Sequence, residues 1–347
     1  MAFRKRRGRL KRSRYEGGSS LKSTLYKEVF TSERGYLKNA VASDSTTGAK
    51  KSSGIWNLES VHTALSEYVP TGEHVFTTVG THSWTCPADV TSVSVVCVGG
   101  GGGGMYYDTS SANYTYSMNG GAGGGLGWKN TIAVTPGATY TVVVGAGGLA
   151  GIYSTGSTAG GASYFSNSSV VQGLGGSPGR YNTANIPGGS YTGDGGGVGG
   201  NSGSASSNGN GPTGGGGAGG YSGNGGNGGS RNQTATAGTG GAGGGGGWST
   251  LLALSYGGGG VGLYGEGASG TAGGQNIQAS SGSLGSNPST NQQGGSYGGG
   301  GGGNSSIYSG TGGNGGQGAV RIVWGDNRLF PSTNVDEASS NGNVSTT

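Results

Sequence analysis

The residues best equipped for chemistry are few and scattered. His62, His74 and His82 are the only histidines, and none stands at metal-ligand spacing from a cysteine or carboxylate. Asp108, Asp194 and Glu266 are isolated from one another, so paired-carboxylate hydrolysis has no support. Matches to GxGxxG are abundant, yet no lysine follows them as a phosphate loop requires, and no strand–helix–strand pattern surrounds them. Arg-Gly-Gly, the unit of one class of RNA-binding segment, does not occur. The chain is therefore read as a non-enzyme, with no catalytic residue, metal or cofactor.

Tyrosine remains. Many of the 18 tyrosines lie in or beside polar inserts, among them Tyr106, Tyr107, Tyr114, Tyr116, Tyr153, Tyr181, Tyr191, Tyr221 and Tyr308. A rigid amphipathic ring among Ser, Gly and Asn is the composition of adaptable recognition loops, because little side-chain entropy is lost on contact. The receptor-binding candidates are Tyr106, Tyr107, Tyr114, Tyr116, Arg180, Tyr181 and Tyr308, and the insert Met105–Asn119 carries four of these tyrosines. The alternative is that the rings cover the ends of the fold or pack between protomers.

Charge is distributed unevenly. Residues 1–73 hold 14 Lys/Arg against 7 Asp/Glu, and residues 74–347 hold 5 against 7. The head of the chain concentrates Arg4, Lys5, Arg6, Arg7, Arg9, Lys11, Arg12 and Arg14, a self-repelling run that suits an acidic socket or a phosphate backbone, or stays a solvated arm. No apolar run long enough to span a bilayer is present, and no signal peptide is legible behind Met1. Cys86 and Cys97 fall near the two ends of an expected hairpin; two small buried residues is the favoured reading over a cross-strand pair.

What must position the inserts is a glycine field. Of 90 glycines, 80 lie between Gly99 and Gly318, bracketed by Val93–Val98 and Ala319–Trp324. Such density ordinarily means disorder. Here β-rich flanks open before the field and close after it. Strands are expected at His74–Val79, Thr81–Cys86, Thr91–Val98, Lys129–Thr135, Thr139–Gly145, Ala162–Ser166, Ser169–Gln172 and Ala319–Trp324. The glycine runs show no fixed glycine-every-third register, which with 8 prolines excludes collagen. Packed sideways as polyglycine II helices, runs of six to ten residues would span about 19–31 Å and place the inserts at the two ends of a slab. Ile55, Leu58, Val61 and Leu65 mark a short helix over 58–68, ending before Pro70.

Three blocks carry a resemblance: His74-Val-Phe-Thr-Thr with Trp84–Gly99, Gly125–Gly148, and Gly316–Gly325. Together they resemble the glycine-rich domains of bacteriophage tail-fibre proteins, and distal adhesins of some tail fibres are similar in having a polyglycine II sandwich with receptor-binding loops. The resemblance implies a virion protein that contacts the host surface.

The expected architecture is mainly β: a β-sandwich-like frame with packed polyglycine II helices and long loops, and a short helix near the N-terminus. It divides into a basic arm (1–20), an attachment region (21–72), a glycine-rich domain (73–325) and a polar tail (326–347) expected to be mobile unless captured. The expected function is a phage tail fibre or adhesin, anchored to other virion proteins through residues 1–70 and binding a host glycan or protein. A homo-oligomer is expected, with a trimer favoured. A head fibre or capsid decoration is the rival, followed by a glycine-rich structural protein or a nucleic-acid binder acting through Arg4–Arg14, the last disfavoured.

Overall fold

The computed structural model describes residues 71–106, 118–152, 154–181, 183–204, 211–230, 233–248, 255–289, 292–304, 312–331 and 344–346. The basic arm and the expected helix 58–68 lie outside the described residues, as do Tyr107, Tyr114, Tyr116, Tyr153 and Tyr308. Among the described residues there is no helix.

The strands are β1 (Gly72–Phe76), β2 (Gly80–Thr85), β3 (Ser92–Val98), β4 (Met105–Tyr106), β5 (Leu126–Ala133), β6 (Thr139–Val144), β7 (Gly151–Ile152), β8 (Ser163–Phe165), β9 (Val171–Gly173), β10 (Tyr191–Thr192), β11 (Gly195–Gly197), β12 (Ala319–Trp324) and β13 (Val344–Thr346). One sheet runs β11-β5-β3-β12-β1-β13 and a second runs β10-β9-β8-β6-β2. Pairing is antiparallel in both, apart from β13, which joins β1 in parallel within the expected polar tail.

The expected strands are present with shifted ends. β5 begins at Leu126, inside a glycine stretch, because Leu126, Gly127 and Trp128 pair with Val98, Cys97 and Val96. The expected hairpin joining Cys86 to Cys97 is absent, since β2 and β3 belong to different sheets. Both thiols are free and buried.

β3 reads as a near-continuous apolar run because both of its faces are covered. Val93, Val95 and Cys97 join Phe76, Val320, Ile322 and Trp324 of the same sheet in a core shared with Trp84, Val142, Val144, Phe165 and Val171 of the other. Val96 and Val98 face the opposite way, into a second cluster with Leu126, Tyr221, Val261, Leu263 and Phe330.

Beyond the sheets the glycine runs form an array with a three-residue rule. The N–H groups of Gly99, Gly102 and Met105 donate to the carbonyls of Gly125, Ala122 and Asn119. Those of Gly100 and Gly103 donate to Gly161 and Thr158, and those of Gly101 and Gly104 to Gly316 and Gly313, all at 2.8–3.0 Å. Successive residues thus address three neighbours, and every third residue returns to the same one. The carbonyls of this run accept from three further neighbours, through Gly176 and Gly179, Gly148 and Gly151, and Gly301. Backbones this close leave no room for a side chain: a Cβ on Gly101 would lie 2.0 Å from the Gly299 oxygen, and one on Gly103 2.1 Å from that of Leu149.

Runs at the surface obey a relaxed version of the rule. Exposed residues recur at intervals of three: Ala146 and Leu149, Pro187 and Ser190, Asn224 and Asn227, Thr236 and Thr239. These edges are capped by side chains. The N–H groups of Val198 and Asn201 donate to Asn224 Oδ1 and Asn227 Oδ1 at 3.0 and 2.9 Å, and those of Asn224 and Asn227 donate to Thr239 Oγ1 and Thr236 Oγ1 at 3.0 and 2.7 Å. Each satisfies a main-chain donor that has run out of neighbouring backbone. Three-residue periodicity, absent across the chain as a whole, is thus present run by run.

Several runs that are continuous in sequence are broken in space. Gly188–Gly200 contains β10 and β11, where Gly195 packs against the Trp128 ring. Gly238–Gly247 reverses at Gly240 and Gly241, whose φ values of +53° and +76° suit glycine.

Candidate functional site

The array has two unlike ends. At one, the runs pass into the sheets: Val98 leads into Gly99, Gly125 into Leu126, Val144 into Gly145 and Gly318 into Ala319. Tight reversals near Tyr221 and Gly240 lie on that side, where Tyr221 packs beneath the first sheet. At the other end stand the residues that flank the inserts. Tyr106 pairs with Ile152 and bridges to Asn304, and Met118 bridges to Tyr181. Thr213 N–H donates to the Met118 carbonyl, and Ser255 N–H to that of Gly303. Ser230 Oγ donates to the Ser204 carbonyl at 2.6 Å, and Trp248 bridges to Ser255 and Gln275. Tyr106, Met118, Ser204, Ser230, Trp248, Ser255 and Asn304 therefore stand at one end of the array. Residues 275–289 cross the array, with Ser283 beside Gly241 and Gly262 on the sheet side.

Of the candidate residues, the fold brings Tyr106, Arg180 and Tyr181 together. Runs 99–106 and 174–181 are parallel neighbours, joined by Gly176 N–H to Gly100 O and Gly179 N–H to Gly103 O at 2.9 and 2.8 Å. That register brings the tips of the two runs level. Asn119, fully buried, binds the tips: its N–H donates to the Arg180 carbonyl at 3.2 Å, its Nδ2 donates to the Thr183 carbonyl, and its own carbonyl accepts from Met105 at 2.9 Å. Thr183 Oγ1 donates to the Tyr181 carbonyl at 3.0 Å. Arg180 is exposed, and Tyr106 and Tyr181 are half-buried. The arrangement sets an arginine and two tyrosines on neighbouring, hydrogen-bonded main-chain tips, residue types that stack on apolar ring faces and donate to anions or hydroxyls.

Tyr221, grouped by sequence with the recognition tyrosines, is fully buried. Its hydroxyl donates to Gly262 O at 3.0 Å and accepts from Gly265 N–H at 3.2 Å, and its ring stacks on Phe330. Burial pushes its pKa up, so it stays a neutral pin. Asp194, isolated in sequence, takes Lys129 Nζ at 2.7 Å and the Asn130 N–H at 2.9 Å. The Lys129 hydrogen bond, foremost, holds its carboxyl below the usual range.

Sequence reasoning missed a buried ionic cluster. Glu73 pairs with both Arg321 and Arg328, and all three are buried. Arg321 also donates to the Leu263 carbonyl at 3.1 Å and lies 4.2 Å over the Tyr264 ring. The signal was an arginine at the centre of the apolar strand Ala-Val-Arg-Ile-Val-Trp. Among the described residues, no group of three or more His, Cys, Asp or Glu side chains could hold a metal ion, and no helix is long and apolar enough to cross a membrane.

A family description, "Glycine-rich domain", matches residues 77–325. No curated protein matches the chain. That match takes in both sheets' principal strands and the whole array, well over half of the sequence, so this chain belongs to the glycine-rich domain family.

Proposed function

We propose that this protein is a virion structural fibre protein, a bacteriophage tail fibre or adhesin that presents one end of a rigid glycine slab to the bacterial surface. In this reading the runs are polyglycine II helices, roofed by two sheets packed as a sandwich. The three-residue hydrogen-bonding step and the three donor and three acceptor neighbours of run 99–105 support it.

One observation carries the functional reading: the body is bipolar. The first strand starts at Gly72, and Gly72 pairs with Trp324, at the end of β1 remote from the array, whereas Phe76 pairs with Val320 beside it. Insert-flanking residues occupy the array's far end. A body whose first strand starts at one pole and whose insert-flanking residues stand at the other suits holding one partner and reaching another. Residues 1–70, with the cations Arg4–Arg14, would seat the protein on other virion proteins as a symmetric homo-oligomer, and Tyr106, Arg180 and Tyr181 would contact a surface glycan or protein.

The test has two arms. Gold-labelled antibody against this chain should decorate the tails of intact particles; label on heads, or on no particle, refutes the tail-fibre assignment. Purified, fluorescently labelled protein should bind cells from a panel of bacterial strains selectively, and the Tyr106→Ala/Arg180→Ala/Tyr181→Ala variant should lose at least tenfold in affinity while melting unchanged. Binding to no strain, or binding indifferent to these substitutions, refutes the receptor site.

A further inference from the structure

Among the described residues, the second sheet ends in an unguarded edge. β2 is its terminal strand and pairs only with β6, with Gly80 opposite Val144, Trp84 opposite Tyr140 and Thr85 opposite Thr139. Cys86, just past the strand, donates its N–H to Ala138 and accepts from Gly137. Alternation in an antiparallel ladder therefore turns the even-numbered residues toward β6 and leaves the N–H and C=O groups of Thr81, Ser83 and Thr85 pointing away from it. Among the described residues no hydrogen bond reaches those main-chain groups.

Natural sheets blunt such an edge with lysine, proline, a bulge or a very short strand. β2 is six residues long, Gly-Thr-His-Ser-Trp-Thr, with no bulge in its pairing, no proline and no lysine, arginine or carboxylate. The array on the same body closes edges with Asn and Thr caps, and among the described residues no such cap reaches β2.

We propose that β2 pairs antiparallel with β2 of a second copy of this chain across a two-fold axis at Ser83. Only odd-numbered residues have outward main-chain groups, and centring on Ser83 uses all of them: Thr81 faces Thr85 of the second copy, and Ser83 faces Ser83. About six main-chain hydrogen bonds result. The side chains of Thr81, Ser83 and Thr85 are exposed on one face, so the seam gains Thr–Thr and Ser–Ser cross-strand pairs. Self-complementarity favours a second copy as the occupant, because the outward series Thr81, Ser83, Thr85 reads the same in both directions. Self-pairing about a two-fold axis places each side chain opposite its own kind or its mirror partner, and β2 has no lysine, arginine or carboxylate to repel its copy. The contact is isologous, and so distinct from any three-fold association through residues 1–70. It does not depend on the adhesin reading.

Light scattering on the full-length chain across 1–100 µM, with cross-linking, tests it. Wild type should reach a mass twice the 33.5 kDa of one chain, or multiples built from such pairs. Ser83→Cys should be captured in pairs by a short bis-maleimide. Ser83→Lys, which sets two like charges on the axis, should weaken pairing at least tenfold. Ser83→Pro removes an outward N–H without touching the β6 ladder and should do the same; if it melts early, the lysine and cysteine variants carry the test, since both keep the main chain. A chain monomeric at 100 µM, association unmoved by Ser83→Lys, or no paired Ser83→Cys product would each overturn the proposal.

Discussion

Replacing Gly217 by alanine puts the close packing of the array to a direct test. Gly217 lies in a fully buried run, where its N–H donates to Gly226 O at 2.8 Å and its carbonyl accepts from Gly200 N–H at 2.8 Å. A Cβ there would fall 2.1 Å from Gly243 O, 2.5 Å from its carbon and 2.7 Å from Gly244 O. All are main-chain atoms, so no rotamer change relieves the clash. Reaching ordinary contact requires a shift of about 1.3 Å or more. The displaced Gly243 carbonyl is itself the acceptor for Gly226 N–H at 2.9 Å. Overpacking costs about 1–3 kcal/mol and a buried donor left without its acceptor a similar amount. The reduced freedom of the unfolded chain returns about 0.4–1 kcal/mol. The net cost is about 3 kcal/mol, a fall in Tm of about 6–12 °C for a domain of this size. Gly274→Ala is the matched control, since its added methyl meets only the Ile277 side chain at 3.6 and 3.8 Å, and it should leave Tm unchanged or slightly raised. Calorimetry of both variants decides the matter. If Gly217→Ala melts within about 2 °C of wild type, or no lower than Gly274→Ala, the runs are not packed as described.

Two further outcomes follow from the buried charges. Glu73→Gln leaves Arg321 and Arg328 facing each other with no carboxylate and should cost about 3–5 kcal/mol, whereas Arg328→Met leaves a one-to-one pair and should cost less; denaturant midpoints that rank the other way refute the clasp. His74 is stacked on Phe76 at 4.2 Å, and burial first, then His82, lowers its pKa below the usual 6.5. The unfolded chain therefore binds a proton more readily than the native one. The associated stability is complete above about pH 6.5 and lost as pH falls through the native value, so Tm should drop on acidification from pH 7 to pH 5, and His74→Phe should flatten that drop.

The strands were legible in the sequence because β-branched and aromatic residues cluster between turn residues. Val93–Val98 and Ala319–Trp324 also announced coverage on both faces by their near-continuous apolar character. Leu126–Trp128 escaped notice because Gly127 breaks the pattern and only pairing with Cys97 makes it a strand. The edge strand Gly195–Gly197 has no propensity at all and exists because it lies against Leu126–Trp128. Tyr221 had the composition of a recognition residue, and its burial depends on a chain reversal that no local signal distinguishes from a loop tip.

The sequence by itself determined that bare main chain must meet bare main chain: a run such as Gly99–Gly104 has no side chain with which to do anything else, and its donors and acceptors still need partners. It also held, unread, the code for inside and outside. Glycine fills Gly99–Gly104, where six neighbours crowd the axis, and in runs with one open side a larger residue is admitted at every third position. Which run lies beside which was decided only in three dimensions. Gly101 bonds to Gly316 and Gly124 to Gly298 across more than a hundred residues, and one glycine carries no information that would choose another. That choice is made by the elements that do have side chains. The sheets fix where the flanking runs begin, and Glu73, Arg321 and Arg328 hold β1 to β12 and to the segment that follows it.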